Sequence, residues 1–439
     1  MAEVNRWTPS GSGAAIFGDD GKIRGSQPIF PVRLVTRAAQ LDLGVEDVYL
    51  AWEITRLAGE NLTSGEQEAL LILILASRAA AAEGSTRLPL AADGLLGRIL
   101  APLSLPADEL EAVDKLLREA GAVAAGGKPA GSRPGLADIF GGPEDYRPLI
   151  FDHGCLYIQK LHVLEERVGK NLRELIGSDP GSIENEQENR GVIERDAALK
   201  QALAEVFAVL PEGPPGRVEF NDRQKEAVCT ALNGRIAVVS GRPGSGKTSI
   251  VAAILRVLAR LGKPPLDAIA LAAPTGKAAD RMRRSIADHL KAIPNPDQAD
   301  RRLLDRCPPS FTIHRLLGYS PGKEQFWYNE QNPLAEELVI IDESSMLDLA
   351  LADQLLRALR PGAGLVLLGD ADQLPPIEAG TVLRDLCRSK RAAEQNRVVI
   401  LGKSYRAREE AAEGRSILET AAAVNRGESP LKEGGIGKV

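Results

Sequence analysis

A glycine-rich segment that ends in lysine and threonine is the feature of this sequence with the clearest chemical use. It follows the apolar run 236–239 and precedes an amphipathic segment, 249–261. Strand, glycine-rich loop and helix in this order favour a P-loop, whose backbone N–H groups surround phosphate oxygens, over a chance glycine turn. Lys247 would then reach the β- and γ-phosphates of a nucleoside triphosphate, and Thr248 would ligate Mg²⁺. The loop consists of Gly241, Arg242, Pro243, Gly244, Ser245, Gly246, Lys247 and Thr248.

Two carboxylates follow a second apolar run, 338–341, which predicts a buried strand. Open α/β sheets bind ligands at the carboxyl ends of their strands, where Asp342 and Glu343 would lie. Asp342 would hold Mg²⁺, and Glu343 would orient and deprotonate the attacking water. Two solvent-facing acids are the alternative, but the P-loop upstream favours the catalytic interpretation.

A polar loop follows a third apolar run, 365–368, and contains Gln373 before Pro375 and Pro376. The carboxamide of Gln373 could bond the γ-phosphate while its neighbours touch another ligand, which suits a sensor of hydrolysis. A turn stiffened by the two prolines is the alternative, and the loop taken alone favours it.

Residues suited to a phosphodiester backbone follow the strand-like run 268–273. Backbone amides, a hydroxyl and a stripe of basic side chains are the groups that bind such a backbone. A solvated basic helix face explains the same pattern equally well. The residues concerned are Pro274, Thr275, Gly276 and Lys277 with the helical arginines Arg281, Arg283 and Arg284.

The elements that must position these residues change character along the chain. In the second half, apolar runs alternate with helical segments, which predicts a parallel sheet in an α/β domain. The first half is mainly helical in pattern, with a β-hairpin over 149–158. The segment 211–216 is rich in proline and glycine and marks the boundary between the halves. The apolar runs lie at 236–239, 268–273, 338–341, 365–368 and 398–401.

Length and composition set the outer limits. With 439 residues and 44% hydrophobic residues, the chain is expected to hold two or three globular domains. Its net charge of −6 neither requires nor excludes a nucleic-acid partner, because a basic groove can lie on an acidic protein. The four cysteines are far apart, which suggests a reducing compartment and argues against a zinc or iron–sulfur site. Without a signal peptide or a long apolar run, we expect a cytoplasmic protein with no membrane partner.

Taken in order, these segments resemble the motifs of superfamily 1 DNA helicases. NDRQKEAV resembles the Q-motif, GRPGSGKTS motif I, LAAPTGKAADRM motif Ia, LVIIDESSMLD motif II, LLGDADQLPPIEAG motif III and LGKSYR motif IV. FTIHRLLGY, at 311–319, resembles the motif that follows Ia. In combination they are similar to the RecD branch, the alpha subunits of exodeoxyribonuclease V. YLAWEITRLAGE and RPLIFDHGCLYIQKLHVLEERV extend this resemblance into the N-terminal half, so that it covers about 45–425.

This resemblance implies a role for several residues. Gln224 would bond the adenine edge, which its amide alone suggests only weakly, and Ser249 would complete the nucleotide site. Pro274, Thr275, Gly276 and Lys277 would contact single-stranded DNA, with His314 near its path. Arg406 would contact the γ-phosphate, and Tyr405 would stack on the base.

The resemblance also implies an activity and partners. ATP and Mg²⁺ would be the cofactors of a 5′-to-3′ helicase that acts on single- and double-stranded DNA. Together with RecB and RecC subunits, it would process double-strand breaks for repair and recombination. The nuclease of that complex would lie in another subunit.

Four regions are expected from these observations. Residues 1–35 would be loosely ordered, 36–215 a mainly helical partner-docking domain with a small β-hairpin, 216–401 a RecA-like P-loop lobe, and 402–439 the start of an incomplete second lobe. Because motifs V and VI have no counterpart, we expect this chain to unwind little by itself. A truncated, non-unwinding nucleotide-binding or scaffold subunit is the alternative. A kinase or AAA-type remodeller is disfavoured by the segments that resemble motifs Ia and III.

Overall fold

The computed structural model describes most of the chain in two compact units. The first unit runs to residue 167 and includes 378–380, and the second comprises 168–376 and 381–402. The units divide within a helix, upstream of the boundary expected near 215, so the predicted domain limits stay a prediction. The described residues are 30–58, 62–91, 94–125, 134–177, 186–213, 216–217, 219–376 and 378–402.

The first unit is mainly helical around one long central helix, α3. This helix is apolar on every side from Ala69 to Ala76, and all of these residues are buried. A helix that is apolar all round must be enclosed by other elements. The helices of the unit are α1 Val32–Gln40, α2 Val45–Leu57, α3 Ser64–Ala82, α4 Leu95–Leu100, α5 Ala107–Ala124 and α6 Pro134–Ile139, followed by α7 Gln159–Gly177, which continues into the second unit.

A small sheet completes the first unit. The expected hairpin is present as an antiparallel pair that turns at His153 and Gly154, both with positive φ. Two further strands join it in the order β1-β4-β3-β2, and the sequence did not reveal them because each has only two residues. The strands are β1 Leu88–Pro89, β2 Phe140–Gly141, β3 Leu149–Asp152 and β4 Cys155–Ile158.

The second unit is built on a parallel six-stranded sheet in the order β14-β7-β13-β12-β8-β9. β7, β8 and β12 are buried at every residue, as expected for strands covered by helices on both faces. The predicted α/β fold with a parallel sheet is therefore confirmed. The strands are β7 Ile236–Gly241, β8 Ile269–Ala273, β9 Ser310–Thr312, β12 Leu338–Ile341, β13 Gly364–Gly369 and β14 Val398–Leu401.

Helices and short strands surround this sheet. The helices are α8 Glu186–Ala208, α9 Asp222–Asn233, α10 Lys247–Leu261, α11 Gly276–Lys291, α12 Gln298–Asp305, α13 Ile313–Leu316, α14 Leu349–Ala358, α15 Val382–Arg388 and α16 Lys390–Glu394. The remaining strands form two small antiparallel pairs, β5 Glu212–Gly213 with β6 Gly216–Arg217 and β10 Tyr319–Ser320 with β11 Gln325–Phe326. None of the described helices is long and apolar enough to cross a bilayer.

A buried ion pair fixes α10, the helix that starts at the phosphate loop. Arg256 of α10 donates to both carboxylate oxygens of Asp300 in α12, at 2.8 and 3.1 Å. It also donates to the carbonyl oxygens of Val206 and Val209, at the end of α8. Arg256 and Asp300 are each 3% exposed, so neither charge has water as an alternative partner. The pair thus ties α8 and α12 to α10.

Candidate nucleotide site and neighbouring exposed loops

The loop between β7 and α10 has a backbone that requires glycine. Gly244 and Gly246 adopt φ values of 81° and 89°, in the left-handed region that other residues rarely occupy. A Cβ atom on Gly246 would lie 2.3 Å from Nε2 of Gln224, and one on Gly241 would lie 2.5 Å from Oγ of Ser245. The loop is therefore a tight turn that admits no side chain at these points.

Lys247 opens α10 and points back into this loop. Its ammonium donates hydrogen bonds to the carbonyl oxygens of Gly241 and, at 3.4 Å, of Arg242. Thr248 follows it in the first turn of the helix and is half-buried. The loop thus encloses the cation that the sequence assigned to phosphate binding.

Three carboxylates act on the ammonium of Lys247. Burial lowers the pKa of Lys247, and the charges of Asp342, Glu343 and Asp370 oppose that effect. The arrangement follows from the strand order, because β13 lies between β7 and β12 and all three strands end at one edge of the sheet. Asp342 and Glu343 thus lie near Lys247, as the sequence predicts, and Asp370 joins them.

Asp342 is the inner of the two acids that follow β12. It is 7% exposed, and burial raises its pKa above the usual range. Its Oδ1 accepts a hydrogen bond from the backbone N–H of Glu343 at 2.9 Å. Glu343 has a positive φ of 53°, and its carboxylate pairs with the guanidinium of Arg281 in α11. A carboxylate as buried as that of Asp342 suits a site in which a cation is bound.

The loop after β13 is held firmly beside this site. Arg384 donates to the carbonyl oxygens of Ala371 at 3.0 Å and Gln373 at 2.8 Å. The carboxamide oxygen of Gln373 accepts a hydrogen bond from the hydroxyl of Ser345 at 3.3 Å. Gln373 therefore lies against the segment that carries Asp342, as a sensor of the nucleotide state would require.

Gln224 lies beneath the phosphate loop and is only 3% exposed. Its Oε1 accepts a hydrogen bond from the backbone N–H of Asn221, and the side chain of Asn221 accepts one from the backbone N–H of Gln224. These two bonds form a capping box at the start of α9. Its Nε2 donates to the carbonyl oxygen of Ser245 at 3.0 Å. One N–H of the carboxamide is thus used by the loop.

Ser249 has a different environment from the rest of the predicted nucleotide site. Its hydroxyl lies 2.8 Å from Nε2 of His289, whose Nδ1 lies 2.8 Å from the carbonyl oxygen of Ser285. Because Nδ1 must donate to that carbonyl, Nε2 of the neutral imidazole accepts and Ser249 donates. Ser249 therefore links α10 to α11.

The residues present fit a nucleoside triphosphate with Mg²⁺. The glycine backbone leaves a cradle without side chains, and Lys247 supplies a cation at its floor. Oγ of Ser245 is buried and has no hydrogen-bond partner within the described part of the chain. Phosphate oxygens would satisfy these donors, and Thr248 and Asp342 provide the oxygen ligands that Mg²⁺ prefers.

The segments expected to contact DNA lie side by side at the same edge of the sheet. β8 and β9 pair in parallel with Ala273 opposite Thr312, so the residues that follow both strands are neighbours. Thr275 and Thr312 each cap the helix that begins after them. Thr275, Gly276, Lys277 and His314 are exposed, and Pro274 is half-buried.

His314 belongs to a cluster of aromatic side chains. Its ring centroid lies 5.4 Å from that of Tyr319 and 5.8 Å from that of Phe326, both in the β10–β11 hairpin. Trp327, next in the chain, is 70% exposed. The sequence identified His314 but not the three aromatic residues, whose only signal was their spacing around a short turn.

The basic stripe of α11 is partly neutralised. Asp280 accepts from Arg283 at 3.1 Å and from Arg284 at 2.6 Å, and Arg281 pairs with Glu343. Lys277 remains exposed at the start of the helix. Tyr405 and Arg406 lie outside the described residues, so their roles stay predictions.

Comparisons with known proteins agree with the motif pattern. An AAA domain profile matches residues 224–379. The RecBCD enzyme subunit RecD of Mycobacterium tuberculosis is 34% identical over 360 residues, which cover 81% of this chain and 52% of that protein. The ATP-dependent RecD2 DNA helicase of Deinococcus radiodurans is 32% identical over 204 residues, or 43% of this chain and 25% of that protein.

The chain spans about half the length of the first of these relatives. Among solved structures, the Pif1 helicase from Candida albicans is 21% identical, covers 48% of this chain and 45% of its own, and superposes with a TM-score of 0.33. A likeness of that size supports no further conclusion.

Proposed function

The chain is RecD-like in sequence, as its motifs predict, and we propose that it is an ATP-hydrolysing DNA helicase subunit. The observation that carries the proposal is the convergence of Lys247, Asp342 and Glu343 at one edge of a parallel sheet. The exposed segments after β8 and β9 lie along the same edge, where a nucleic acid would be within reach of the nucleotide site. ATP turnover at the phosphate loop would drive movement along single-stranded DNA.

The geometry of the site supports a catalytic role for each of four residues. Lys247 would exchange the carbonyl oxygens of Gly241 and Arg242 for the β- and γ-phosphates. Thr248 and Asp342 would hold Mg²⁺, which when bound supplies the positive charge that neutralises the transferring phosphoryl group. Glu343 would accept the proton of the attacking water.

Further residues would bind the nucleotide and report its state. Gln373 would bond the γ-phosphate through the carboxamide now on Ser345, and Arg406 would approach it from beyond the described residues. Gln224 would use its second N–H on adenine while the first holds the loop. Ser249 would complete the site from the first turn of α10.

DNA would lie across the loops after β8 and β9. Pro274, Thr275, Gly276 and Lys277 offer backbone amides, a hydroxyl and a cation to its phosphates. His314 offers an exposed ring to its bases, as Tyr405 would farther along.

The wider role rests on the relatives. The name of the relatives, subunits of the RecBCD enzyme, supports a heterotrimer with RecB and RecC. A 5′-to-3′ motor in cytoplasmic double-strand break repair and recombination is the role that the motif resemblance implies. A subunit that binds nucleotide without turnover is the alternative. Two contacts favour it, because they occupy groups needed for turnover: the hydrogen bond of Lys247 to the carbonyl oxygen of Gly241 and the ion pair of Glu343 with Arg281.

DNA-dependent ATP hydrolysis by the full-length protein, with and without partner subunits, tests the proposal. We expect single-stranded DNA to raise the hydrolysis rate, and Lys247→Ala to abolish it. Lys263→Ala removes an exposed lysine just beyond the same helix and should have no effect. If DNA leaves the rate unchanged both with and without partners, or Lys247→Ala retains it, the proposal is wrong.

A further inference from the structure

An ion pair connects the predicted catalytic base with the helix that follows the predicted DNA-contact segment. Nη2 of Arg281, in α11, donates to Oε1 of Glu343, directly after Asp342. The side chain of Arg281 is 61% exposed, while that of Glu343 is 22% exposed. A pair this open to water is weak, so a stronger anion can replace the carboxylate.

Arg281 lies close to the proposed DNA segment. α11 begins at Gly276 and is capped by Thr275, so the positive end of its dipole lies at this segment, where the first N–H groups have no acceptor within the helix. Lys277 and Arg281 are four residues apart and therefore lie on one face of the helix. A phosphate bound at this end of α11 would be within reach of Arg281.

The other arginines of α11 have a different partner from that of Arg281. Arg283 and Arg284 both bond to Asp280. Arg281 thus differs from them in bridging to the loop after β12.

The backbone of Glu343 is fixed, so its side chain alone can change direction. Its N–H donates to Oδ1 of Asp342, and its carbonyl oxygen accepts from the N–H of Met346 at 3.1 Å. Its φ of 53° is rare for a residue with a side chain, and such backbone strain is typical of functional sites. The partner of the carboxylate therefore decides where it points.

We propose that Arg281 is a positioning residue that makes ATP hydrolysis depend on DNA. Without DNA it occupies an oxygen of Glu343 that would otherwise accept the proton of the attacking water. When a DNA phosphate binds at the start of α11, Arg281 moves to that phosphate and frees the carboxylate. This inference rests on the proposed function, whose nucleotide and DNA sites it connects.

Steady-state hydrolysis by the full-length Arg281→Ala protein tests the coupling. We expect its DNA-free kcat to rise about threefold to fivefold, as the loss of a weak ion pair allows, with the KM for ATP unchanged. Its rate at saturating DNA should stay near that of the unaltered protein, so the ratio of the two rates falls. Arg281→Lys keeps a cation and should restore most of that ratio.

Lys291→Ala is the matched control, since it removes an exposed cation from the last turn of the same helix. It should leave both rates unchanged. The proposal is overturned if Arg281→Ala leaves the DNA-free kcat unchanged, or if it lowers both rates in parallel. It is also overturned if Lys291→Ala raises the DNA-free rate equally.

The same measurements distinguish a failure of the proposed function from a failure of the role proposed for Arg281. If the unaltered protein hydrolyses ATP without any response to DNA, there is no DNA-dependent motor to regulate. If it responds to DNA and Arg281→Ala responds equally, the motor stands and the role of Arg281 is wrong.

Discussion

The ammonium of Lys247 donates a hydrogen bond to the carbonyl oxygen of Gly241, the residue at which β7 ends and the phosphate loop begins. This bond closes the loop from within. Since burial lowers the pKa of Lys247, the charged form depends on the oxygens and carboxylates around it. A triphosphate would replace carbonyl dipoles by full negative charges and so favour the ammonium more strongly.

Lys247→Ala should lower both the rate of ATP hydrolysis and the affinity for the nucleotide. Without this cation, we expect hydrolysis by the full-length protein to fall by at least about 100-fold, as for the loss of other groups that stabilise transition-state charge. The rise in melting temperature that ATP and Mg²⁺ produce should shrink as well, because that rise reports affinity for the folded state. Measuring kcat and this shift on one preparation checks both. A full shift together with near-normal kcat would place the site elsewhere.

Glu343→Gln should separate binding from turnover. The amide keeps the size of the side chain but cannot take a proton from water, so we expect kcat to fall by about 10²–10⁴. ATP affinity should change little, because Asp342 and Lys247 remain. Equilibrium binding of labelled ATP beside single-turnover hydrolysis makes this comparison. Equal losses in both would indicate a structural role for Glu343.

Gln224→Ala should weaken ATP more than GTP. Loss of the bond to the Ser245 carbonyl loosens the loop, which should weaken the binding of either nucleotide by about fivefold. Loss of the bond to adenine affects ATP alone, so its affinity should fall by about twentyfold in total. Binding constants for both nucleotides provide the measurement. Arg223→Ala, an exposed neighbour in α9, is the control. Equal factors for ATP and GTP would mean that Gln224 shapes the loop without contacting the base.

Asp300→Asn should destabilise the second unit in a pH-dependent way. Near neutral pH it leaves Arg256 buried without its anion, which costs about 3–5 kcal/mol of unfolding free energy. Burial raises the pKa of Asp300, but the hydrogen bonds and charges of Arg256 and Arg260 outweigh it, so the folded pKa is lowered. The stabilisation is therefore complete above the unfolded pKa, near 4, and is lost as pH falls through the folded pKa.

Denaturant unfolding of both proteins at neutral pH and at progressively lower pH measures this difference. The difference in unfolding free energy between the unaltered protein and Asp300→Asn should become smaller as the pH falls. Asp305→Asn, at the exposed end of the same helix, should unfold with almost the same free energy as the unaltered protein. A gap that stays constant with pH would show that the charge of Asp300 does not provide the stability.

The main strands of the sheet, and the candidate residues that follow them, could be predicted from the sequence because both depend on local patterns. An apolar run is long enough to identify β7 or β12 by itself, and a glycine is needed wherever the loop adopts positive φ. β1, β2 and β9 were missed, since strands of two or three residues leave too short a pattern. Asp342 and Glu343 could be named because they directly follow such a run, and Lys247 because it ends the glycine-rich segment that follows another.

The sequence by itself determined which residues have the chemistry for triphosphate binding, since residue type, glycine content and apolar runs are local properties. Only the tertiary structure decided which of these residues lie in contact with one another. Strand order brought Asp370 to Lys247, and the packing of α11 placed Arg281 on Glu343, 62 residues along the chain. Such pairings depend on how distant segments stack, and the same residue types could have met differently in another strand order.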